Sequence, residues 1–269
     1  MVLESLEPRL LSNASILEIW EKGAALSGSQ KSRLLLAVGY PQASVDLIDR
    51  SPLGAWNVAL LRLREWQIGS NITLIDRCPE CSETIEFVSS TNDLLAADSP
   101  PTYNSNKVLA FRNWELTHRS LFGSDLIESE TDQPTDPIDA GKSLIERTIL
   151  KLTRNGNQAN PRDMSASLWE KLASSISEYD SLSEIVFNLS CPKCGHNWES
   201  LFEPGEHLWI ELSAKAKALL YEIHVLAIAY SWRESEILKL SDDRRAAYLS
   251  LIEEHAATPA SIPQQLGAI

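Results

Sequence analysis

Two pairs of cysteines constrain this chain more than any other feature. They are Cys78-Pro79-Glu80-Cys81 and Cys191-Pro192-Lys193-Cys194-Gly195, and there is no other cysteine. Each pair has the C-x-x-C spacing, and residues 82–190 lie between the pairs. Disulfides in such an arrangement suit small secreted domains, but 269 residues can bury a core without them. A redox dithiol needs only one pair, beside a βαβ pattern. The pairs read instead as two metal-binding knuckles. Two residues in a tight turn let both thiolates point at one ion about 2.3 Å away. Pro sets each turn, and Gly195 after the second pair tolerates a positive φ.

Together Cys78, Cys81, Cys191 and Cys194 complete a tetrahedron. The expected ion is a structural Zn²⁺, with no open position for a catalytic water. The competing reading is two unconnected pairs of free thiols. His196 and His207 lie close in sequence but are not needed as ligands. Each knuckle is expected to end one strand and start another. Thr84-Ile85-Glu86-Phe87-Val88 alternates after the first knuckle; Ile185-Val186-Phe187-Asn188-Leu189 precedes the second, and residues 198–202 follow it. The ribbon so formed is discontinuous. Closing the long loop between its halves is entropically costly, and the metal is the expected clamp.

The rest of the chain reads as helical blocks around this ribbon. The expected fold is mainly α with a small β zinc ribbon (α+β). Residues 1–75 form an N-terminal helical block, with N-caps at Ser12 or Asn13 and a helix start at Ser51-Pro52. Residues 76–90 and 185–202 form the ribbon. Residues 91–184 are an insertion that opens with a loop at residues 99–102 and has a strand near 108–116. A solvated acidic loop is expected at 123–141, because six acids fall there with no base until Lys142. Helices are expected near 142–151 and 164–177. Residues 203–254 are a C-terminal helical block. In it Leu212, Ala216, Leu219, Leu220, Ile223, Leu226, Ala227 and Tyr230 form one apolar helix face. His224 is expected to be packed near that face. A turn is placed at Ser231, and a final helix is capped by Ser241. Residues 255–269 read as a tail.

Charge removes several functions. With 24 Lys+Arg against 37 Asp+Glu the net charge is -13, and residues 71–202 hold twenty acids against eleven bases. Duplex binding needs phosphate-neutralising cations on one face, so neither nucleic acid nor an anionic membrane is an expected partner. No apolar run approaches the 18 or so residues of a membrane span. The first residues carry no basic region ahead of an apolar stretch, so a cytoplasmic protein is expected. Phosphate-binding, nucleophile-elbow and zinc-protease motifs are all missing from the sequence. The expectation is therefore that the chain is not an enzyme.

Residues of the C-terminal block carry a resemblance. The runs Leu208-Trp209-Ile210-Glu211, Leu219-Leu220-Tyr221-Glu222-Ile223-His224-Val225-Leu226-Ala227 and Tyr230-Ser231-Trp232-Arg233-Glu234 lead to Ile237-Leu238-Lys239-Leu240, Arg244-Arg245 and Tyr248-Leu249. Together they resemble the signature of the T-even-phage-type baseplate hub assembly chaperone family. Such proteins are encoded with contractile phage tails and contractile injection systems. Leu17-Glu18-Ile19-Trp20-Glu21-Lys22-Gly23, Leu61-Arg62-Leu63-Arg64-Glu65-Trp66 and both cysteine pairs are also similar to the family. Two positions depart from it, Ser82 and Ser231, each where glycine is usual.

The resemblance implies a non-enzymatic assembly factor or a minor structural component of a baseplate. Its partners would be other baseplate, hub, spike or wedge proteins. It would be cytoplasmic during assembly, and either leave or be retained in the particle. Trp209, Trp232, Arg244, Arg245 and Tyr248 are the candidate partner-binding residues. The alternative class is a zinc-ribbon regulatory or adaptor protein acting on transcription machinery.

Overall fold

A computed structural model describes residues 2–96, 106–131 and 136–257. The chain is mixed α+β, with 56% helix and small antiparallel sheets, so helices set most of its bulk. The expected loop at 99–102 and most of the expected tail lie outside the described residues. Two compact units are present. One comprises residues 1–11 and 21–210, the other residues 12–20 and 211–269.

Four helices come first along the chain: α1 (Asn13–Gly23), most of which belongs to the second unit, and then α2 (Gly28–Gly39), α3 (Val45–Asp49) and α4 (Leu53–Gln67) of the first. Ser27 caps α2 in a reciprocal capping box with Gln30, and Ser44 caps α3. Helix α4 buries most of its length, including Trp56, Leu60, Leu61 and Leu63. Pro52 is its N-cap. The carboxylate of Asp180, itself buried, accepts from the Gly54 amide at 3.1 Å, where the helix dipole is positive.

Gly69, at φ 124°, ends this helical run. Strand β1 (Asn71–Arg77) then pairs antiparallel with β2 (Thr84–Ser90), from Asn71↔Ser90 to Arg77↔Thr84. The β structure therefore starts inside the segment expected to be helical, residues 1–75. The reason lies in the alternation of inward Ile72, Leu74 and Asp76 with outward Asn71, Thr73 and Ile75, a period of two. Helix α5 (Thr91–Ala96) leads into the insertion.

Strands β3 (Lys107–Phe111) and β4 (Trp114–His118) form a hairpin that turns at Arg112, φ 54°. It was expected as one strand. Helices α6 (Gly123–Thr131) and α7 (Pro137–Glu146) occupy the stretch expected to be an acidic loop. Three of the acids there, Asp125, Glu128 and Glu130, are held rather than merely solvated. Arg119 makes a bidentate pair with buried Asp125, at 2.6 and 2.9 Å, and the Phe122 amide donates to the same carboxylate at 2.8 Å. Glu128 pairs with Arg147. Glu130 accepts from the Ser29 amide and from the hydroxyls of Ser27 and Ser29.

Strand β5 (Ile149–Arg154) replaces the second half of the helix expected at 142–151. It pairs with β4 and with the short β6 (Asn157–Gln158), giving the sheet order β3-β4-β5-β6. Helix α8 (Ala166–Tyr179) supplies Leu168, Leu172 and Ile176 to a core with Trp114, Leu116, Leu152 and Met164. Strands β7 (Ile185–Ser190) and β8 (Asn197–Phe202) form the last hairpin, with Ile185↔Phe202 and Ser190↔Asn197 as its end pairs.

The second unit is helical. Helix α9 (Pro204–Tyr230) buries Leu212, Ala216, Leu219, Ile223 and Leu226 at helical spacing. Leu220, expected on that face, is 38% exposed, and His224 is exposed rather than packed. Both lie one residue past a buried position, and a step of about 100° carries them off the stripe. Ser231, φ 56°, turns the chain into α10 (Glu234–Ile237) and then α11 (Asp242–Ala257). The helix therefore continues three residues into the expected tail. Arg245 is 2% exposed and ties these helices together. It pairs with Glu222 at 2.7 Å and Asp242 at 2.8 Å, and donates to the Leu240 carbonyl at 2.8 Å. Among the described residues no helix is long and apolar enough to cross a membrane.

Candidate metal centre

The two cysteine turns join β1 to β2 and β7 to β8, and their backbones follow one pattern. In the first, the Cys78 amide donates to the Glu83 carbonyl at 2.9 Å and the Ser82 amide to the Cys78 carbonyl at 2.9 Å. In the second, the Cys191 amide donates to the His196 carbonyl at 2.8 Å and the Gly195 amide to the Cys191 carbonyl at 2.9 Å. The residue after each second cysteine has positive φ, Ser82 at 59° and Gly195 at 75°. Serine thus adopts at the first turn what glycine adopts at the second. Such a φ disfavours any residue with a Cβ.

The turns bring all four sulfurs together. Ligand atoms of Cys78, Cys81, Cys191 and Cys194 lie within 4.8 Å of one another. The closest pairs cross between the hairpins, Cys78 to Cys194 at 3.6 Å and Cys81 to Cys191 at 3.5 Å. A tetrahedron with metal–sulfur bonds of about 2.3 Å has edges of about 3.8 Å, so the spacing fits one ion. None of the four is in a disulfide; Cys78 and Cys191 are buried, Cys81 is half-buried and Cys194 exposed.

Electrostatics point the same way. Desolvation raises the Cys191 thiol, but hydrogen bonds from the amides of Cys194 and Lys193 and from the Cys81 and Cys194 sulfurs together hold its pKa down to about 6. The His196 amide lowers Cys194, yet desolvation and the surrounding sulfurs push it up to about 12. The Glu83 backbone hydrogen bond lowers Cys81, but desolvation and the sulfurs of Cys191 and Cys78 raise it overall. Four thiolates this close cannot all ionise without a cation among them.

Around the sulfurs, side chains join the two hairpins. They are separate two-stranded sheets with no ladder between them. Lys193 pairs with Glu83 at 2.9 Å, turn to turn. Trp198 Nε1 donates to Asp76 at 3.1 Å. Burial would raise the Asp76 carboxyl, but hydrogen bonds from Ser200, Trp198 and the Arg77 amide hold it below its usual range. Phe87 meets Phe187 edge-on at 5.2 Å, and Phe187 meets Phe202 at 5.9 Å. Sequence reasoning missed the Glu83–Lys193, Asp76–Trp198 and Phe87–Phe187 pairs, whose members sit on different hairpins and far apart in sequence.

The other candidate residues fall elsewhere. Trp209 is half-buried against Gly23, where a Cβ would come within 2.2 Å of its ring, and Lys31 lies 5.1 Å from that ring. Trp232 stacks on Tyr230 at 4.7 Å and meets Tyr248 edge-on at 4.9 Å. Arg244 is exposed; Arg245 is buried and fully engaged within the chain, so its side chain presents no surface. Tyr230, not singled out from sequence as a site residue, completes the aromatic trio.

Comparison with protein-family models, with curated proteins and with solved structures finds no match. The class of molecule therefore rests on its own residues. It is a mixed α+β chain with a four-cysteine cluster compatible with metal binding.

Proposed function

We propose that the chain is a non-enzymatic assembly factor or minor structural component of the baseplate hub of a contractile phage tail or contractile injection system. The cluster would be a structural zinc ribbon, made of two hairpins distant in sequence. Cys78, Cys81, Cys191 and Cys194 would hold the ion, and zinc would supply the positive charge that lets four thiolates coexist. With every tetrahedral position taken by sulfur, the ion has a structural rather than catalytic task.

The observation that carries the assembly reading is the convergence of Tyr230, Trp232 and Tyr248 in one aromatic cluster. These residues belong to the C-terminal run that resembles the baseplate family. Half-buried aromatics of this kind suit a docking patch, since Trp and Tyr dominate interface hot spots. Exposed Arg244 lies on the helix that carries Tyr248.

Mass spectrometry of purified sheathed particles, beside a tagged pull-down from lysate, tests this. A fixed stoichiometry in particles identifies a baseplate subunit. Recovery with hub or wedge proteins only in lysate identifies a departing assembly factor. Association with no tail protein in either sample contradicts the proposal. Salt-dependent DNA binding would then favour the zinc-ribbon regulator, which the net charge of -13 disfavours.

A further inference from the structure

Within the first unit a cavity of about 560 Å³ opens between α4, α7, α8 and the start of α9. That size is in the range of small-ligand pockets, about 300–1,000 Å³. Its wall is largely apolar, with Leu60, Leu126, Leu144, Ile145 and Ile176 among the lining side chains. Its charged lining has a single sign. Glu130, Glu184, Glu203 and Glu206 line it, and no lysine or arginine does.

These carboxylates are not equivalent. Glu130 is satisfied inside the chain, on the N-terminus of α2. Glu203 and Glu206 instead lie near enough for their like charges to repel. Partial burial, then Glu206 and Glu130, raise the Glu203 carboxyl above its ordinary range. Among the described residues no lysine or arginine pairs with Glu184, Glu203 or Glu206. A cation placed there relieves a repulsion that the chain leaves uncompensated.

Apolar surface continues beyond the mouth. Leu201 lines the cavity, is 56% exposed, and pairs across β7–β8 with Val186, which is 38% exposed. Paired residues share one face of a hairpin. A small amine would use only the cavity, whereas an extended chain would cover this face as well.

We propose that the cavity binds a basic–apolar peptide segment of a partner protein, a lysine or arginine meeting Glu203 and Glu206 while its apolar neighbours fill the cavity and cover Leu201. This goes beyond the baseplate reading and does not depend on it; nor does its test require any tail protein.

The test is fluorescence anisotropy of the full chain with a labelled peptide alternating leucine with lysine and arginine. An analogue with glutamate at the basic positions is the control. Binding of the basic peptide alone is expected, weakening as salt rises. The Glu203→Gln/Glu206→Gln variant should bind at least about tenfold more weakly. Gly141→Trp should block the cavity, since Gly141 lines it and a Cβ there meets nothing within 4 Å. Circular dichroism confirms that both variants fold. No binding of the basic peptide, equal binding of the acidic one, or unchanged affinity in both folded variants overturns the proposal. Equally tight binding of phenethylamine overturns its assignment to a peptide.

Discussion

The two cysteine hairpins and the four-stranded sheet of the insertion are both small antiparallel structures, yet they are held by different means. The sheet β3-β4-β5-β6 lies with α8 on a continuous apolar core running from Trp114 through Leu168 to Ile176. The hairpins share a smaller core of Leu61, Ile72, Ile185 and Phe202, and no backbone ladder joins them. An isolated two-stranded hairpin is marginal in water. Besides that core, the two are joined by the four-sulfur cluster, the Lys193–Glu83 ion pair, hydrogen bonds from Trp198 and Ser200 to Asp76, and the Phe87–Phe187 edge contact. Apolar packing thus secures the insertion, while its two attachment strands lean more on polar and sulfur chemistry, most of all at the cysteine cluster.

Removing that point should have the largest effect. Structural zinc contributes apparent binding free energy on the order of 10 kcal/mol in small domains, comparable to a whole domain's stability. Chelation, or Cys191→Ser, should abolish hydrogen-exchange protection in β1, β2, β7 and β8. The sheet β3-β4-β5-β6 should keep its protection. Equal loss in both regions would break the contrast.

The converse substitution attacks the insertion. Leu168 is fully buried, so Leu168→Ala should cost about 2–5 kcal/mol. Denaturant melts should show the loss, with bound metal per chain unchanged. Metal loss on this substitution would mean that the two regions fold as one.

A smaller effect separates them by pH. His118 in β4 is buried, with Nε2 on Ser175 Oγ at 2.9 Å. Burial, helped by Lys107 and opposed by the Arg119 carbonyl, lowers its pKa. A histidine whose folded pKa lies below its unfolded one stabilises above the unfolded value, about 6.5. That stability is lost as pH falls from there through the folded pKa, by at most about 1.4 kcal/mol per pH unit. Urea melts between pH 7.5 and 5.5 should therefore show a steeper loss for the native chain than for His118→Gln. Equal slopes would remove His118 as the source.

The smallest change compares the knuckles with each other. Ser82 and Gly195 hold matching positive φ angles, and a Cβ there costs roughly 1–2 kcal/mol. Ser82→Gly should stabilise by about 0.5–1 kcal/mol once glycine's freedom in the unfolded chain is counted. Gly195→Ser should destabilise by a similar amount. Thermal melts of the metal-loaded protein check both signs.

How much of this was legible depends on range. The knuckle turns were, because C-P-x-C is a local pattern and Gly195 marks the second turn; the positive φ of Ser82 carries no such mark. Strands after Cys81 and before Cys191 were also legible, from their alternation. The insertion was read less well. Ile149–Arg154 is six residues long, and its strand partner β4 lies beyond two intervening helices. The acids at 123–141 read as solvated because their partners Arg119, Arg147, Ser27 and Ser29 are remote or lie outside the run. Arg245 was marked as surface since a charged residue is exposed unless paired. Its partner Glu222 sits on another helix. Even the four-cysteine cluster was read as one site only because two pairs completed a tetrahedron. Their approach across residues 82–190 is a property of the fold.

The central claim is that one ion joins the two hairpins through four cysteines. Metal analysis of the purified chain with zinc-edge X-ray absorption tests it most directly. The account predicts one zinc per chain, with four sulfur neighbours at about 2.3 Å and no nitrogen or oxygen. Four freely reactive thiols with no bound metal, in a chain whose hairpins remain protected from exchange, would contradict it.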